Sequence, residues 1–424
     1  MNRRRDETVT QIDGAFPEGF LWGAATSAHQ TEGENTNSNW WHLETAPNSP
    51  FAERSGAAVD SYRRYPEDMR LLADAGLDTY RFSIEWARIE PTQGEFDTRE
   101  LEHYRSMIDT AIGLGLTPVV TLHHFTTPMW FAQRGGWASP DAVDRFAAYV
   151  TQASTILADV PWICTINEPN MIALLTGMPE RVAATEEQDA TLDSRPIAAL
   201  ALPTPSDDVT RVLTEAHRRA VDILRAATDA KVGWTVSAQG FEAEPGAESV
   251  FTAVKWAWED RYLEVSRDDD FVGVQSYTTR KIGLDGPVAY TSAEEQTMTG
   301  WPFRPDAVGL AVRNAWSVTG GTPVLVTENG IATADDRQRI AYVEGALHSL
   351  AAAIADGIDV RGYLHWSALD NYEWGEWGPT FGLIAVDRET FERTPRPSLA
   401  WLGARAHAAR AASGRPVLES VEAS

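Results

Sequence analysis

The sequence predicts an α/β chain folded as a single (β/α)8 TIM barrel with extended βα loops, and three observations carry that reading. Eight strand-like runs begin near Phe20, Thr79, Pro118, Pro161, Lys231, Phe271, Pro323 and Val360, and every gap between them holds at least one helical pattern with its punctuation. Runs such as Pro323 to Val326 are short, β-branched and uncharged, the pattern of a strand buried on both faces in a parallel sheet. No Gly-rich phosphate turn follows an early strand, as an open doubly wound sheet would require.

The 424 residues could make two or three domains, yet no linker interrupts the series. Residues 16–412 are therefore read as one catalytic barrel, flanked by flexible tails at 1–15 and 413–424. Within the barrel, Pro66-Glu67-Asp68 is expected to open a helix that Gly76 closes, and Ser139-Pro140-Asp141 to cap another with proline at its first position. The acidic, Ala/Pro-rich stretch from Glu180 to Asp208 reads as an insertion within the domain. With 43% hydrophobic residues the core can be large.

A net charge of -25 argues against nucleic acid or an anionic membrane as partner, and solubility is its plain reading. The single cysteine, Cys164, leaves no internal disulfide and no Cys-based metal cluster. The start Met-Asn-Arg-Arg-Arg lacks the apolar segment of a secretory signal, and no run of about 18 apolar residues is present, so a cytoplasmic location is expected. No His/Asp/Glu grouping shows metal-ligand spacing that a barrel leaves unexplained; neither a metal nor another cofactor is expected.

Polar and aromatic side chains gather where these runs end, which in a barrel is where chemistry is placed. Gln30-Thr31-Glu32-Gly33 follows the first run, Tyr80-Arg81-Phe82-Ser83 lies in the second, and the third ends in Leu122-His123-His124-Phe125. The sixth ends in Gln275-Ser276-Tyr277 and the eighth in His365-Trp366-Ser367, with Asp370 to Trp374 on the loop beyond. Two runs finish in a glutamate: Thr322 to Gly330 carries Glu328, and Trp162 to Ile166 leads into Asn167-Glu168-Pro169. Singly, each could be structural or solvated. Facing each other across one pocket, they are the pair that glycosidic bond cleavage requires, one protonating the leaving oxygen while the other attacks the anomeric carbon or activates water. An arginine inside a barrel strand, such as Arg81, is costly unless a carboxylate faces it.

Seven strings in register cover nearly the whole chain: F-P-E-G-F-L-W-G-A-A-T-S from Phe16, Q-T-E-G from Gln30, Y-R-F-S-I-E-W-A-R-I from Tyr80, T-L-H-H-F from Thr121, T-I-N-E-P from Thr165, V-T-E-N-G from Val326 and W-S-A-L-D-N-Y-E-W from Trp366. On these strings the chain resembles glycoside hydrolase family 1, the β-glucosidase and β-galactosidase barrels of clan A. The resemblance implies that Glu328 is the nucleophile and Glu168 the general acid/base, with carboxyl groups about 5 to 5.5 Å apart as in retaining enzymes. It also implies that Arg81 lies against the nucleophile, that Tyr277 donates a hydrogen bond to it, and that Asn167 contacts the sugar 2-hydroxyl. Gln30, His124, Glu373 and Trp374 match residues that hold the sugar's outer hydroxyls, and Trp366 matches the platform under the ring's apolar face. Trp301 is similar to the family's aglycone-side tryptophan, with packing as its other reading.

Simple packing is the default for Trp22, Trp86, Trp162 and Trp234, and a structural role for His29, His123 and His217. Departures from the family pattern are expected to fall mainly on the aglycone side. Gln275 stands where asparagine is usual, at the border of the leaving-group side, and Phe125 replaces a common tryptophan. Thr380 stands where an arginine is expected while Phe381 still matches, and the stretch from Ala238 to Ala257 looks short. Together these imply a retaining, exo-acting β-glycosidase for small-molecule glycosides, foremost β-D-glucosides, with β-galactoside or β-fucoside activity. A Glu373 carboxylate beside O4 and O6 would repel a 6-phosphate. The alternatives are a transglycosylase using the same intermediate, and a sugar-binding barrel that has lost catalysis. Oligomeric state is not legible.

Overall fold

The computed structural model describes residues 14–176, 204–290 and 296–413, so both expected tails lie almost wholly outside the described residues. Eight parallel strands form a closed barrel: β1 (Leu21–Ala25), β2 (Thr79–Ser83), β3 (Thr117–Thr121), β4 (Trp162–Asn167), β5 (Lys231–Ser237), β6 (Val272–Gln275), β7 (Val324–Asn329) and β8 (Val360–Trp366). Each pairs with its neighbours in sequence, and β8 closes on β1. Every strand begins within one residue of its expected start. The match follows from burial: a strand covered on both faces must be apolar along its length, and that leaves a strong signal.

Alternation sorts the side chains. Val119, Trp162, Cys164, Phe271, Leu325 and Leu364 form a cluster of their own, packed with Leu21, that plugs the barrel interior, while Val326, Ile163 and Tyr363 belong to the larger core shared with the helices. Inward glycines make room for the plug: a Cβ on Gly23 would lie 2.2 Å from the Thr79 carbonyl oxygen, and one on Gly233 2.1 Å from that of Phe271. Strict alternation from Leu325 would turn Glu328 outward, and from Cys164 it would turn Asn167 outward. Neither happens, because each strand carries one extra residue near its end. Val326 and Glu328 pair with the consecutive Val274 and Gln275, and Cys164 and Asn167 pair with Gly233 and Thr235. These β-bulges re-aim both side chains into the barrel mouth.

Two helix starts differ from expectation. The helix Ser61–Asp74 begins five residues before Pro66, which lies inside it. Its first turn is fixed by the Asp60 carbonyl, which accepts from Arg63 and Arg64 N–H at 3.1 Å each, and by Asp60 carboxyl contacts to both arginines. Proline there removes one donor from the ladder without ending the helix. The second helix runs Ala142–Ser154 with Asp141 as N-cap, so Pro140 sits before it, in a turn where the Ser139 hydroxyl meets Asp141 at 2.5 Å. The expected insertion from Glu180 lies outside the described residues up to 203, and its last part is helical: Ser206 caps the helix Asp207–Ala227, whose first-turn acids Asp207 and Asp208 suit the helix dipole. Among the described residues no helix is long and apolar enough to cross a membrane.

Candidate active site

The bulged end of β7 delivers Glu328 into a ring of donors. Arg81 Nη1 lies 2.5 Å from its Oε1, Gln275 Nε2 lies 2.7 Å from the same oxygen, and the Tyr277 hydroxyl lies 2.5 Å from Oε2. Arg81 is fully buried; it also donates to Asn167 Oδ1 at 2.5 Å and to Thr121 Oγ1 at 3.0 Å. A buried arginine of this kind needs a carboxylate, and Glu328 supplies it. Burial pushes the Glu328 carboxyl above its ordinary range, while the Arg81 charge and the Tyr277 hydroxyl draw it down. With donors already aimed at both oxygens, the ionised form is the one this hydrogen bonding fits.

Glu168 follows β4 directly and has different surroundings. Its backbone is left-handed, φ 46°, and it stands as N-cap to the helix Pro169–Leu175, with proline at the first helical position. The residue is half-buried. Burial and the Glu328 charge push its pKa up to about 8, against smaller downward pulls from the Ser237 hydroxyl and Arg81. Next to it, Asn167 Oδ1 accepts from Arg81, Gln275 and Thr235 at 2.5, 2.7 and 3.1 Å, which orients the amide. Asn167 Nδ2 is buried with no protein partner and is left as a donor for a bound molecule.

A second cluster lines the loops after β1, β3 and β8. Gln30 Nε2 donates to Asn371 Oδ1 and the Tyr372 carbonyl, each at 2.9 Å, and reaches Glu373 Oε2 at 3.4 Å. Trp366 Nε1 donates to Glu373 Oε1 at 3.3 Å. The His124 ring stacks with Trp366 and Trp374 at 5.9 and 6.2 Å, and its buried Nδ1 has no protein partner. Burial and the Arg81 charge hold His124 well below the usual histidine range, so it is neutral. Burial, with the Glu328 charge adding to it, pushes Glu373 up to about 8 against the Trp366 hydrogen bond. Repulsion of a 6-phosphate by an ionised Glu373 is therefore weak at neutral pH; the side chains that hydrogen-bond Glu373 are Gln30, Trp366 and Asn371, none of them cationic.

On the opposite rim, Tyr277 packs against Trp301 at 5.7 Å and Phe381 at 5.9 Å. All thirteen residues singled out from the sequence thus fall in one region or touch a member of it, with one change of place. Gln275 was expected at the leaving-group border, yet it is fully buried and its amide nitrogen bridges Glu328 and Asn167 at 2.7 Å each. Thr380, standing where arginine was expected, donates to the Thr333 carbonyl at 3.0 Å, and its own carbonyl accepts from buried Arg339 at 2.8 Å. His217 is structural, bonded to Thr165 and Asp269 and stacked on Trp234. Thr121, Thr235, Ser237 and Asn371 went unassigned: threonine and serine are ordinary in strands, where only inward register places the first three at the site, and Asn371 reaches it from the loop beyond β8. No group of three His, Cys, Asp or Glu among the described residues is arranged to hold a metal ion.

The model of glycosyl hydrolase family 1 matches residues 12–240 and 259–409. The unmatched 241–258 overlap all but the first three residues of the stretch from Ala238 to Ala257 that looked short from sequence. The thermostable beta-glucosidase B of Thermobispora bispora is 31% identical, with 92% of this chain and 90% of that protein covered. A bifunctional beta-D-glucosidase/beta-D-fucosidase of Bifidobacterium breve is 28% identical over 91% of this chain and 97% of its own length. The crystal structure of beta-glycosidase BGL167 superposes with a TM-score of 0.84 at 40% identity, covering 96% of this chain and all of that one. A closed parallel barrel, two glutamates at bulged strand ends and a family match across nearly the whole chain lead to one conclusion: this chain belongs to glycosyl hydrolase family 1 and is a glycoside hydrolase of β-glucosidase type.

Proposed function

We propose that the chain is a retaining, exo-acting β-glycosidase, foremost a β-glucosidase with β-galactosidase or β-fucosidase activity, that hydrolyses terminal unphosphorylated β-D-glycosides through a covalent glycosyl-enzyme. The observation that carries this reading is the unequal surroundings of the two carboxyls: Glu328 is met by Arg81, Gln275 and Tyr277, whereas Glu168 is pushed up to about 8 and stays protonated at neutral pH. Glu328 attacks the anomeric carbon as the bond to the leaving oxygen breaks, and Glu168 gives that oxygen its proton. Glycosylation removes the Glu328 charge and with it one cause of the raised Glu168 pKa. Glu168 is then a carboxylate suited to take a proton from the water that attacks the same carbon and frees Glu328.

The unpartnered Asn167 Nδ2 donates to the sugar 2-hydroxyl, a bond that strengthens as positive charge develops in the ring. Trp366 carries the apolar face of the sugar, and Gln30, His124, Glu373 and Trp374 bind its outer hydroxyls. A Glu373 that starts neutral can donate as well as accept there, and the side chains that hydrogen-bond it, Gln30, Trp366 and Asn371, offer a phosphate dianion no positive charge. Trp301 and Phe381 border the leaving group beside Tyr277. The relative whose name pairs β-D-glucosidase with β-D-fucosidase supports the expectation for fucosides.

A panel of 4-nitrophenyl β-D-glycosides, including a 6-phosphoglucoside, tests the reading. Glucoside turnover should lead the panel and fall by about 10⁴-fold in Glu328→Gln, and azide should restore Glu328→Ala with release of the inverted glycosyl azide. Wild-type turnover that survives Glu328→Gln, with no azide rescue, would sink the mechanism. Comparable turnover of the 6-phosphoglucoside would sink the substrate class.

A further inference from the structure

One buried amide behind the acid/base has no part in the chemistry above. Asn170 lies in the helix that starts directly after Glu168 and is 2% exposed. Its Nδ2 donates to the Ser237 carbonyl at 2.8 Å and to the Trp258 carbonyl at 2.9 Å, and its Oδ1 accepts from the Ser237 N–H at 3.3 Å. A single side chain therefore grips both backbone polar groups of the last residue of β5 and ties it to the π-helical turn Trp256–Asp260. That turn is fastened in its own right. Glu259 accepts from the Gln239 N–H just beyond β5, Trp258 meets Phe241 edge-on at 6.4 Å, and Asn314 donates to Asp260 at 3.0 Å. Part of this brace falls in residues 241–258, between the two segments that match the family model.

The Glu168 N–H donates to the Thr235 carbonyl at 2.8 Å, which sets Glu168 beside the end of β5, and the buried Ser237 hydroxyl at that strand end favours the ionised carboxyl. We propose that Asn170 is a positioning residue that holds the Ser237 hydroxyl on Glu168, so that the acid/base is oriented from the loop after β5 and not only by its own strand. The proposal rests on Glu168 being the acid/base. The other charged or titratable groups facing Glu168 are Glu328 on β7, Arg81 on β2 and Tyr277 after β6, and substitutions at Asn170 and Ser237 leave all three in place.

The alkaline limb of kcat/KM, which reports loss of the Glu168 proton in the free enzyme, is the readout. Ser237→Ala removes a hydrogen bond that favours the carboxylate, so the limb should move to higher pH by about half a unit, and Ser237→Thr should bring it back. Asn170→Ala should move it the same way, and the double variant Asn170→Ala/Ser237→Ala no further than Ser237→Ala alone, because both act through one hydroxyl. A limb that stays put in Asn170→Ala while the melting temperature falls, or shifts that add in the double variant, would overturn the proposal. Should Asn170→Ala fail to fold, an unmoved limb in Ser237→Ala overturns it equally. Glu168→Gln separates the two levels: an alkaline limb that survives this change discards Glu168 as the acid/base, whereas its disappearance together with an inert Asn170 discards only the brace.

Discussion

At the end of β7, Glu328 accepts hydrogen bonds from Arg81, Gln275 and Tyr277; at the end of β4, Glu168 faces a pocket with one hydroxyl against it. Both strands carry a one-residue bulge near their C-terminal ends, and both glutamates are pushed up by burial before any partner acts. The difference lies in the donors. Desolvation is indifferent to role, and hydrogen bonds to the charged form decide which carboxyl is fit to attack and which to give a proton.

Removing the strongest donor should break this contrast and give the largest effect. Arg81→Met leaves Glu328 buried beside a neutral side chain, so its pKa rises and the acid limb of kcat/KM moves to higher pH. The rate at the optimum should fall by about 10³-fold, the range seen when one preorganised electrostatic partner is lost from a water-poor site. An acid limb that does not move in Arg81→Met would mean that Arg81 does not keep Glu328 charged.

The other side of the contrast is probed by Glu168→Gln, which removes the proton donor and keeps the shape. Glycosides of poor leaving groups should lose about 10²- to 10⁴-fold in kcat/KM, while 4-nitrophenyl glycosides, whose leaving group needs little help, should lose far less at that step. Equal losses for both would assign the role of Glu168 to binding and not to proton transfer.

The barrel was legible because each strand is covered on both faces and its apolar run survives in the sequence, as Pro323 to Val326 and Trp162 to Ile166 do. The candidate site was legible for a related reason: a charged or aromatic residue inside or closing an apolar run stands out, as Arg81 does within β2 and Glu328 and Trp366 do at strand ends. What could not be read was register. Nothing in Val326-Thr327-Glu328 announces the extra residue that turns Glu328 inward, because a bulge is a property of two paired strands. Gln275 was placed one step too far out for the same reason, since its fourfold hydrogen-bonding potential does not say which neighbours use it. The start of the helix at Ser61 was hidden because Pro66 is the louder signal, while the deciding contacts are those of Asp60 with Arg63 and Arg64.

A third buried glutamate sharpens the comparison at the smallest expected effect. Glu259 lies away from the pair, is 1% exposed, and is pushed up to about 8, first by desolvation and then by neighbouring Asp260, against the Gln239 N–H and Lys255. In the unfolded chain it would ionise near 4.5, so between that value and about 8 the folded state holds a proton that the unfolded state has given up. Stability contributed by the neutral form is complete below the lower value and is lost as pH rises through the window. Glu259→Gln keeps an acceptor for the Gln239 N–H and has no proton to lose. The drop in melting temperature between pH 6 and pH 9 should therefore shrink by about 3 °C relative to wild type. A drop of unchanged size would mean that burial does not hold Glu259 neutral, and would weaken the argument that burial alone raises Glu168 until a donor or a charge says otherwise.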